Sequence, residues 1–262
     1  MNEDSATDEN EGQTTELLLE AVKRAPLLAE LLDGPTEMRQ LNRRLAPSRS
    51  TIHRTVQTFT DRGIVDKTDD GLRLTGFGRA IAHFTVEYQE RLESATRLEP
   101  FLNTISPADV DIPVEFFADA TVARPKPSHP HFAIKRIAEL IEASDSLRMF
   151  SSVISPFYVD VTHREMMNGM EIEVIFDETL AETILSEYHD EAVESLESGR
   201  FEVYLHDHVP FELFIFEDRM GMAAHDDRGI ARALVETDAP EAIAWAEDVY
   251  ESYAAESDTI SF

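Results

Sequence analysis

The sequence of 262 residues contains no cysteine and only four lysines. Without cysteine the chain has no disulfide, no cysteine-ligated zinc or iron–sulfur centre and no thiol nucleophile. No apolar run approaches the roughly 20 residues needed to cross a bilayer. The first 20 residues are polar and acidic, which is unlike a signal peptide. We therefore expect a cytoplasmic protein that does not associate with membranes.

Acidic residues are abundant instead. Asp and Glu number 52 against 23 Lys and Arg, which gives a net charge of −29. This total argues against a polyanion such as DNA as a partner. Arginine in place of lysine, together with many acidic residues, is also typical of proteins from salt-accumulating halophiles. Molar salt shortens the Debye length to about 3 Å, which screens the repulsion between the acidic residues. A hydrophobic content of 42% is that of a globular protein. We expect a halophilic, globular protein.

One segment reverses the charge. Residues 36–60 contain five arginines and a single glutamate, so this window has a net charge of +4 while the rest of the chain carries −33. A basic window in so acidic a chain indicates a surface for an anion or an internal salt-bridge surface that faces the acidic remainder. The local sequence pattern has to distinguish the two.

The pattern around this window predicts three helices and a β-hairpin. The third helix runs from the N-cap Ser48 to about Arg62, with Ile52, Val56 and Phe59 on its buried face. Asp70-Gly71 between two short apolar segments is a strong hairpin signal. We predict a winged helix-turn-helix over residues 14–76, preceded by a disordered acidic tail over residues 1–13.

The third helix resembles the recognition helix of many prokaryotic regulators. Its sequence Ser50-Thr51-Ile52-His53-Arg54 is followed by Asp61-Arg62-Gly63-Ile64-Val65 at the start of the wing. Such helices enter the major groove, where Arg reads guanine and Ser or Thr contacts bases or phosphates. We predict contacts to DNA from groove residues Arg49, Ser50, Thr51, His53, Arg54 and Gln57, from wing residues Lys67 and Arg73, and from the phosphate-facing Arg39, Arg43 and Arg44.

Three alternatives remain open for this module. Arg54 would lose its DNA contact if it pairs with Asp61 across the end of the helix. His53 is merely an exposed residue, without a contact to DNA, if it faces solvent away from the major groove. A winged helix can also serve only as a protein-interaction module.

A long helix is predicted after the wing. Apolar residues recur at spacings of three and four from Phe77 to Leu98, which is a near-heptad stripe. The stripe pairs with its copy in a homodimer, or packs only on its own winged helix. Prolines 100, 107 and 113 indicate a linker, so we place the connecting segment at residues 77–108 and the domain boundary near Asp109.

The remaining chain, residues 109–256, alternates helices and strands and predicts an α/β sandwich. Its last helix is expected to begin with Asp238 as N-cap and Glu241 three positions later, a capping box. The predicted elements are helices at 131–143, 156–168 and 178–197 and strands at 147–154, 171–176, 201–205, 212–216, 220–224 and 231–235.

Several segments of this second domain resemble one family of archaeal regulators. They are residues 147–156, 168–175, 209–213, 218–222 and 231–250. The family joins an N-terminal winged helix to a methanogenesis-regulator-type (FilR-type) effector domain, and the likeness runs from about Thr14 to Tyr253. It implies transcription regulation, and an α/β (phospholipase-D-like) sensor domain related to that of TrmB-like regulators. It identifies no effector-binding residue.

The second domain lacks the residues of phospholipase-D chemistry, which needs a His-x-Lys pair. The residues two positions before the four lysines are Ala21, Val65, Arg124 and Ala133. A phosphate-binding glycine-rich loop is also absent from the sequence. We therefore expect no enzyme and no cofactor.

Histidines and carboxylates cluster at His129 and His131, at residues 206–208 and at residues 225–227. His206, His208 and His225 leave a metal site open as an alternative; we interpret the clusters as exposed strand ends and predict no metal. An effector would bind at the carboxyl end of the 147–154 strand and the loops beside it. The candidate effector residues there are Ser151, Ser152, Ser155, Asp177 and His206, of which Ser155 is alternatively a helix cap.

The sequence thus predicts a one-component, homodimeric transcription regulator. Its winged helix binds double-stranded operator DNA, and its α/β domain responds to an unknown small-molecule effector. The alternative is a metal-binding or enzymatic α/β domain fused to a winged helix that serves protein interaction. Metal analysis of the purified protein distinguishes the two.

Overall fold

The computed structural model describes residues 3–105, 110–126, 128, 131–226 and 228–259. The chain forms two compact units, Met1–Glu93 and Ser94–Phe262. The division falls inside a helix rather than near Asp109, which itself lies outside the described residues. The reason is that Leu98 and Phe101, at the end of this helix, are fully buried in the core of the second unit.

The first unit is a winged helix. Its elements are α1 (Glu3–Lys23), α2 (Ala25–Leu32), α3 (Met38–Arg44), α4 (Arg49–Asp61), β1 (Val65–Thr68), β2 (Gly71–Leu74) and the first part of α5 (Gly76–Leu102). The Ser48 hydroxyl caps α4 by accepting a hydrogen bond from the Thr51 N–H, as predicted. The predicted disordered tail is wrong for most of its length, because α1 begins at Glu3 in a segment that contains no proline.

Two glycines permit close approaches within this unit. Gly71, with φ of +122°, turns the hairpin, and a Cβ there would lie 2.9 Å from the backbone of Thr36, which forms a bridge with Leu72. At Gly78 in α5, a Cβ would come within 1.9 Å of the Ile64 carbonyl oxygen. Both positions therefore require a residue without a side chain.

The second unit is built on an eight-stranded mixed sheet in the order β10-β6-β5-β4-β7-β8-β9-β3. Strands β4, β5 and β6 are parallel, and the other pairings are antiparallel. Its strands are β3 (Thr121–Ala123), β4 (Ser146–Ser151), β5 (Glu171–Asp177), β6 (Phe201–His206), β7 (Glu212–Ile215), β8 (Met220–His225), β9 (Ala231–Thr237) and β10 (Asp258–Thr259).

Helices cover both faces of this sheet. Besides a 3-10 helix (Val114–Phe117), they are α6 (Phe132–Ile141), α7 (Pro156–Met167), α8 (Glu178–Glu187), α9 (His189–Glu197) and α10 (Pro240–Ala255). One core contains Phe150, Leu213 and Tyr250 of α10. The other contains Met149, Phe214 and Tyr158 of α7. Alternate residues of β4 and β7 therefore enter different cores, as the two-residue repeat of a strand requires.

Two details differ from the predicted elements. The helix predicted over 178–197 is interrupted at Tyr188, whose φ and ψ of −128° and 36° are not helical. The predicted capping box at Asp238 is wrong, because α10 begins at Pro240 and its N-cap is Ala239, which makes no side-chain cap hydrogen bond. Proline has a fixed φ suited to the first helical position, which places the cap one residue later than predicted. Among the described residues, no helix combines the length and hydropathy of a membrane span.

Candidate functional site

Helix α4 presents a polar face opposite its buried one. Ile52, Thr55, Val56 and Phe59 are buried against the core of the first unit. The other side of the helix exposes Arg49, Ser50, His53, Arg54 and Gln57, whereas Thr51 is half-buried. The helix thereby offers a row of polar and basic side chains to an external partner.

The predicted DNA contacts divide into unpaired and paired cations. The side chains of Arg43, Arg49, Arg54, Lys67 and His53 make no hydrogen bond or ion pair within the described part of the chain. The other three arginines each face an acid: Arg39 lies 3.3 Å from Glu37, Arg44 lies 2.8 Å from Glu30 and Arg73 lies 3.6 Å from Asp66. The strongest unpaired positive charge of the window is therefore on α4 and at the end of α3.

The alternative in which Arg54 pairs with Asp61 is wrong in this structure. The Gln57 side-chain amide donates a hydrogen bond of 2.7 Å to the Asp61 carboxylate instead. Glutamine and aspartate are four residues apart, which places them on the same side of the helix. Arg54 is thus left without a carboxylate partner among the described residues, although Gln57 is engaged.

Arg54 also borders a groove between α1 and α4. The groove has a volume of about 440 Å³, and Arg54 and Arg62 from α4 face Glu16 and Glu20 from α1 across it. Glu20 is already paired with Arg24 at 3.3 Å. The basic side of α4 thus continues into a groove in which acids and bases are mixed.

The wing carries its two predicted contacts at different distances from the tip. Thr68 pairs with Gly71 at the end of the hairpin, Lys67 lies one step back and Arg73 lies opposite Asp66. Lys67 is therefore the cation closer to the tip.

Four of the five predicted effector residues do not gather around one cavity. Ser155 caps α7, which was the alternative for it, and Asp177 caps α8 through a bond of 2.7 Å from the Leu180 N–H. The His206 ring accepts a bond from the His208 N–H and packs against Tyr253 at a tilt of 50°, with centroids 4.9 Å apart. Ser152 is exposed at the end of β4. These contacts give Ser155, Asp177 and His206 roles in local structure.

Ser151, the fifth, belongs to a buried polar cluster. Its hydroxyl lies 2.9 Å from Glu212 Oε1 and 2.9 Å from the Val153 carbonyl oxygen. Glu212 Oε2 lies 3.3 Å from Nε2 of His225, without the geometry of a hydrogen bond. We define Ser151, Glu212, His225 and Tyr158 as the polar cluster; all four lie on the side of the sheet that α7 covers.

Burial governs the protonation of the polar cluster. It raises the pKa of Glu212 to about 8, against the smaller opposing effect of the Ser151 hydrogen bond. Burial also lowers the pKa of His225 to about 4, and burial and the nearby Glu212 charge raise that of Tyr158. Sequence reasoning missed Glu212, although a glutamate that begins the apolar strand Glu212-Leu213-Phe214-Ile215 was a visible signal.

Metal ligands do not converge among the described residues. Within the described ranges, no three His, Asp or Glu side chains are arranged to hold a metal ion. His206 and His225 are engaged as described above, and His129 and Asp227 lie outside the described residues. The predicted absence of a metal stays a prediction.

Comparison with known proteins gives two family matches. The family described as HVO_A0261 N-terminal domain matches residues 13–97. The family described as methanogenesis regulatory protein FilR1, middle domain, matches residues 130–256. No curated protein matches the chain.

The similar solved structures are distant. They include TrmBL2, an archaeal chromatin protein (12% identity, 89% of this chain and 92% of that chain, TM-score 0.46). NucT from Helicobacter pylori (12%, 54% and 99%, 0.43) and the phospholipase D family member Nuc from Salmonella typhimurium (11%, 55% and 100%, 0.41) also match. With TM-scores below 0.5, we base no argument on them. The two family matches together span most of the chain, and they assign a FilR1-type middle domain to residues 130–256 behind an HVO_A0261-type N-terminal domain at residues 13–97.

Proposed function

We propose that this regulator binds operator DNA through the exposed face of α4. The observation that carries the proposal is that Arg49, His53 and Arg54 extend from this face with no ion pair to any described residue. In a chain of net charge −29, cations without acidic partners are the ones available to an external anion. A helix of a winged helix-turn-helix fits the major groove, where Arg donates two bonds to guanine.

The structure supports a ranking of the predicted contacts. Arg49 and Arg54, with His53, need no rearrangement to reach base edges. The Ser50 hydroxyl first has to leave the Ser48 hydroxyl, which lies 3.0 Å away. Gln57 must first release Asp61. Arg43 and Lys67 are unpaired and suit phosphates, whereas binding by Arg39, Arg44 and Arg73 requires exchange of a carboxylate for a phosphate. Thr51 contributes through its contact of 2.9 Å with Ser48 at the start of α4.

We propose that the protein is a homodimer formed through α5. Four large apolar side chains of the predicted stripe are more than half exposed: Phe77 (55%), Phe84 (73%), Tyr88 (56%) and Leu92 (52%). An exposed apolar stripe of this extent is a typical protein interaction surface. A second copy supplies an identical stripe, and the resulting dimer presents two recognition helices to two half-sites of an operator.

The second unit then acts as the effector-responsive part. An effector changes DNA affinity only if it binds one arrangement of the dimer more tightly than another. We propose regulation rather than catalysis for this unit, and a site of action in the cytoplasm, where the operator lies. Stoichiometric zinc, iron or manganese in the purified protein would contradict this proposal and favour a metal-binding domain.

The composition further supports adaptation to high salt. With most of its charge of one sign, the chain repels itself at low ionic strength. We expect the melting temperature to fall when salt is lowered from about 2 M to 0.1 M. A melting temperature that does not depend on salt would contradict the halophilic origin.

The experiment that tests DNA binding uses the full chain. Duplexes are first selected from a pool of random sequence, and the selected duplex is titrated at one salt concentration with wild type, Arg49→Ala and Arg54→Ala. Each variant is expected to bind about 5- to 150-fold more weakly, because a bidentate Arg–guanine pair is worth about 1–3 kcal/mol.

The matched control is Arg200→Ala, which removes an exposed arginine from the second unit. It is expected to change affinity by less than about twofold. Equal affinities in wild type and both α4 variants, or the same loss in the control, would overturn the proposed role of α4.

A further inference from the structure

A buried carboxyl group in the second unit has no cationic partner. Glu212 is 1% exposed. Its Oε1 atom is 2.9 Å from the Ser151 hydroxyl, but its Oε2 atom receives no hydrogen bond from any residue that the structure describes. No lysine or arginine in the described part of the chain forms an ion pair with it. A buried carboxylate without a cation is costly, so Glu212 is held largely as the neutral acid at pH 7 unless a cation is supplied.

One further acceptor atom lies beside Glu212 Oε2, and a second belongs to the buried hydroxyl of Tyr158. His225 Nε2 is 3.3 Å away, and its ring is neutral at pH 7 because burial lowers the pKa of His225 to about 4. The Tyr158 hydroxyl is buried and has no hydrogen-bond partner among the described residues. Glu212 is close enough to Tyr158 for its charge to raise the pKa of that phenol. The cluster thus offers a carboxylate oxygen, an imidazole nitrogen and a phenol oxygen.

Of the four residues of the polar cluster, Tyr158 also lines an apolar cavity. It has a volume of about 60 Å³, which is room for about four water-sized groups. Its walls come from β4, the loop after it, β5, α7 and α8, and they include Val153, Ile154, Phe176 and Leu180. Apart from Tyr158 and Thr162, every residue along the walls is apolar. The Thr162 hydroxyl donates a hydrogen bond to the Tyr158 carbonyl oxygen. A short alkyl group suits this cavity better than a sugar or an ion.

We propose that the polar cluster binds a small primary amine whose ammonium group meets Glu212, His225 and Tyr158 and whose alkyl group fills the adjoining cavity. The three N–H donors of an ammonium group match the three acceptors. Its positive charge neutralises the carboxylate, which a neutral ligand does not do. Only two His, Asp or Glu side chains belong to the cluster, which is too few for a metal site. The inference rests on the proposed function in one respect, which is that the amine is identified as the effector of the regulator.

Binding of the amine is coupled to loss of a proton. Burial keeps Glu212 largely protonated at pH 7, since its pKa is about 8. The carboxyl group gives up this proton to solvent when the ammonium arrives, so close to one proton is released for each amine bound. Titration calorimetry in buffers of different ionisation enthalpy measures this number.

The test is calorimetry on the full chain without DNA, with n-butylamine as the probe and n-butanol as its neutral counterpart. We expect n-butylamine to bind with proton release and n-butanol to bind at least tenfold more weakly. Glu212→Gln keeps the size of the side chain but removes the charge, and is expected to weaken n-butylamine binding at least tenfold. The control Glu241→Gln, an exposed position on α10, is expected to bind as wild type does.

Three results would overturn the inference. The first is that n-butylamine produces no binding heat, and the second is that Glu212→Gln binds n-butylamine as tightly as wild type does. The third is that Glu212 makes the folding stability depend on pH while n-butylamine leaves that stability unchanged. The last result would mean that the cluster holds only a proton. If Glu212→Gln fails to fold, Tyr158→Phe tests the same site, because it retains the ring and removes one acceptor. Failure here leaves DNA binding by α4 untouched, and loss of DNA binding in Arg49→Ala leaves amine binding intact.

Discussion

The two units of the chain use their charges differently. The first unit has a net charge of −5 over 93 residues, whereas the second has −24 over 169. Most arginines of the second unit pair with neighbouring acids, as at Arg136 with Glu236 and at Arg164 with Glu142. In the first unit, Arg49 and Arg54 have no such partner among the described residues. The difference shows that total charge is a poor guide to the surface that meets a partner.

The units also differ in where their polar groups lie. The first unit places the unpaired cations Arg49 and Arg54 on an exposed helix face, whereas the second buries Glu212 and Tyr158 without full hydrogen bonding. Exposed cations suit a large polyanion, and buried acceptors suit a small ligand.

Gly78→Ala is expected to damage the first unit selectively. The added Cβ would lie 1.9 Å from the Ile64 carbonyl oxygen, so α5 must move away from the start of the wing. We expect a loss of about 3 kcal/mol in unfolding free energy, at the upper end of overpacking effects. Chemical denaturation followed by circular dichroism measures it. Gly76→Ala, where a Cβ meets nothing within 4 Å, is the control, and equal stability of the two variants would contradict the close approach.

Phe84→Glu is expected to break the proposed homodimer. The side chain is 73% exposed in the centre of the apolar stripe of α5. A glutamate there is solvated in a monomer, whereas in a dimer the glutamates of the two copies would repel each other. Light scattering should report a monomer, and operator affinity should fall about 100-fold because only one half-site is held. Phe157→Glu alters an aromatic residue of the second unit that is 64% exposed; this variant should remain dimeric. A dimeric Phe84→Glu variant would place the interface elsewhere.

Stability is expected to fall as the pH rises from about 6.5 to 8. The folded pKa of Glu212, about 8, lies above its unfolded value, so its contribution is lost as pH rises towards 8. The pKa of His225 is lowered to about 4, so its contribution is gained between about pH 4 and 6.5. The two slopes oppose each other below pH 6.5, and only that of Glu212 remains above it.

The expected loss over this range is about 2 kcal/mol. Urea denaturation at pH 6.5 and 8 measures it, and Glu212→Gln should show little change over the same interval. A wild-type protein equally stable at both pH values would mean that Glu212 is charged and partnered when folded.

Local patterns of the sequence predicted most of the elements. Ser48 as an N-cap and Asp70-Gly71 as a hairpin turn are signals contained in a few adjacent residues, and the structure confirms both. The exposed face of α4 followed from the helical spacing of Ile52, Val56 and Phe59. The break at Tyr188 was not predicted, because the surrounding residues are good helix formers and no proline or glycine indicates it.

Long-range relations were not predictable in the same way. Ser151 and Glu212 are 61 residues apart and meet only because β4 and β7 are neighbours in the sheet. Nothing in one sequence gives the order of strands in a mixed sheet. The bridge between Thr36 and Leu72, which makes Gly71 necessary, is hidden for the same reason.

The central claim is that the unpaired arginines of α4 read DNA bases. The most direct measurement compares the selected duplex with one that carries 7-deazaguanine, which lacks the N7 acceptor, in titrations of wild type and Arg54→Ala. The account predicts that the modified base weakens wild-type binding about tenfold and causes no further loss in Arg54→Ala. If the modified base weakened the binding of wild type, Arg54→Ala and Arg49→Ala by the same factor, base reading by these arginines would be contradicted.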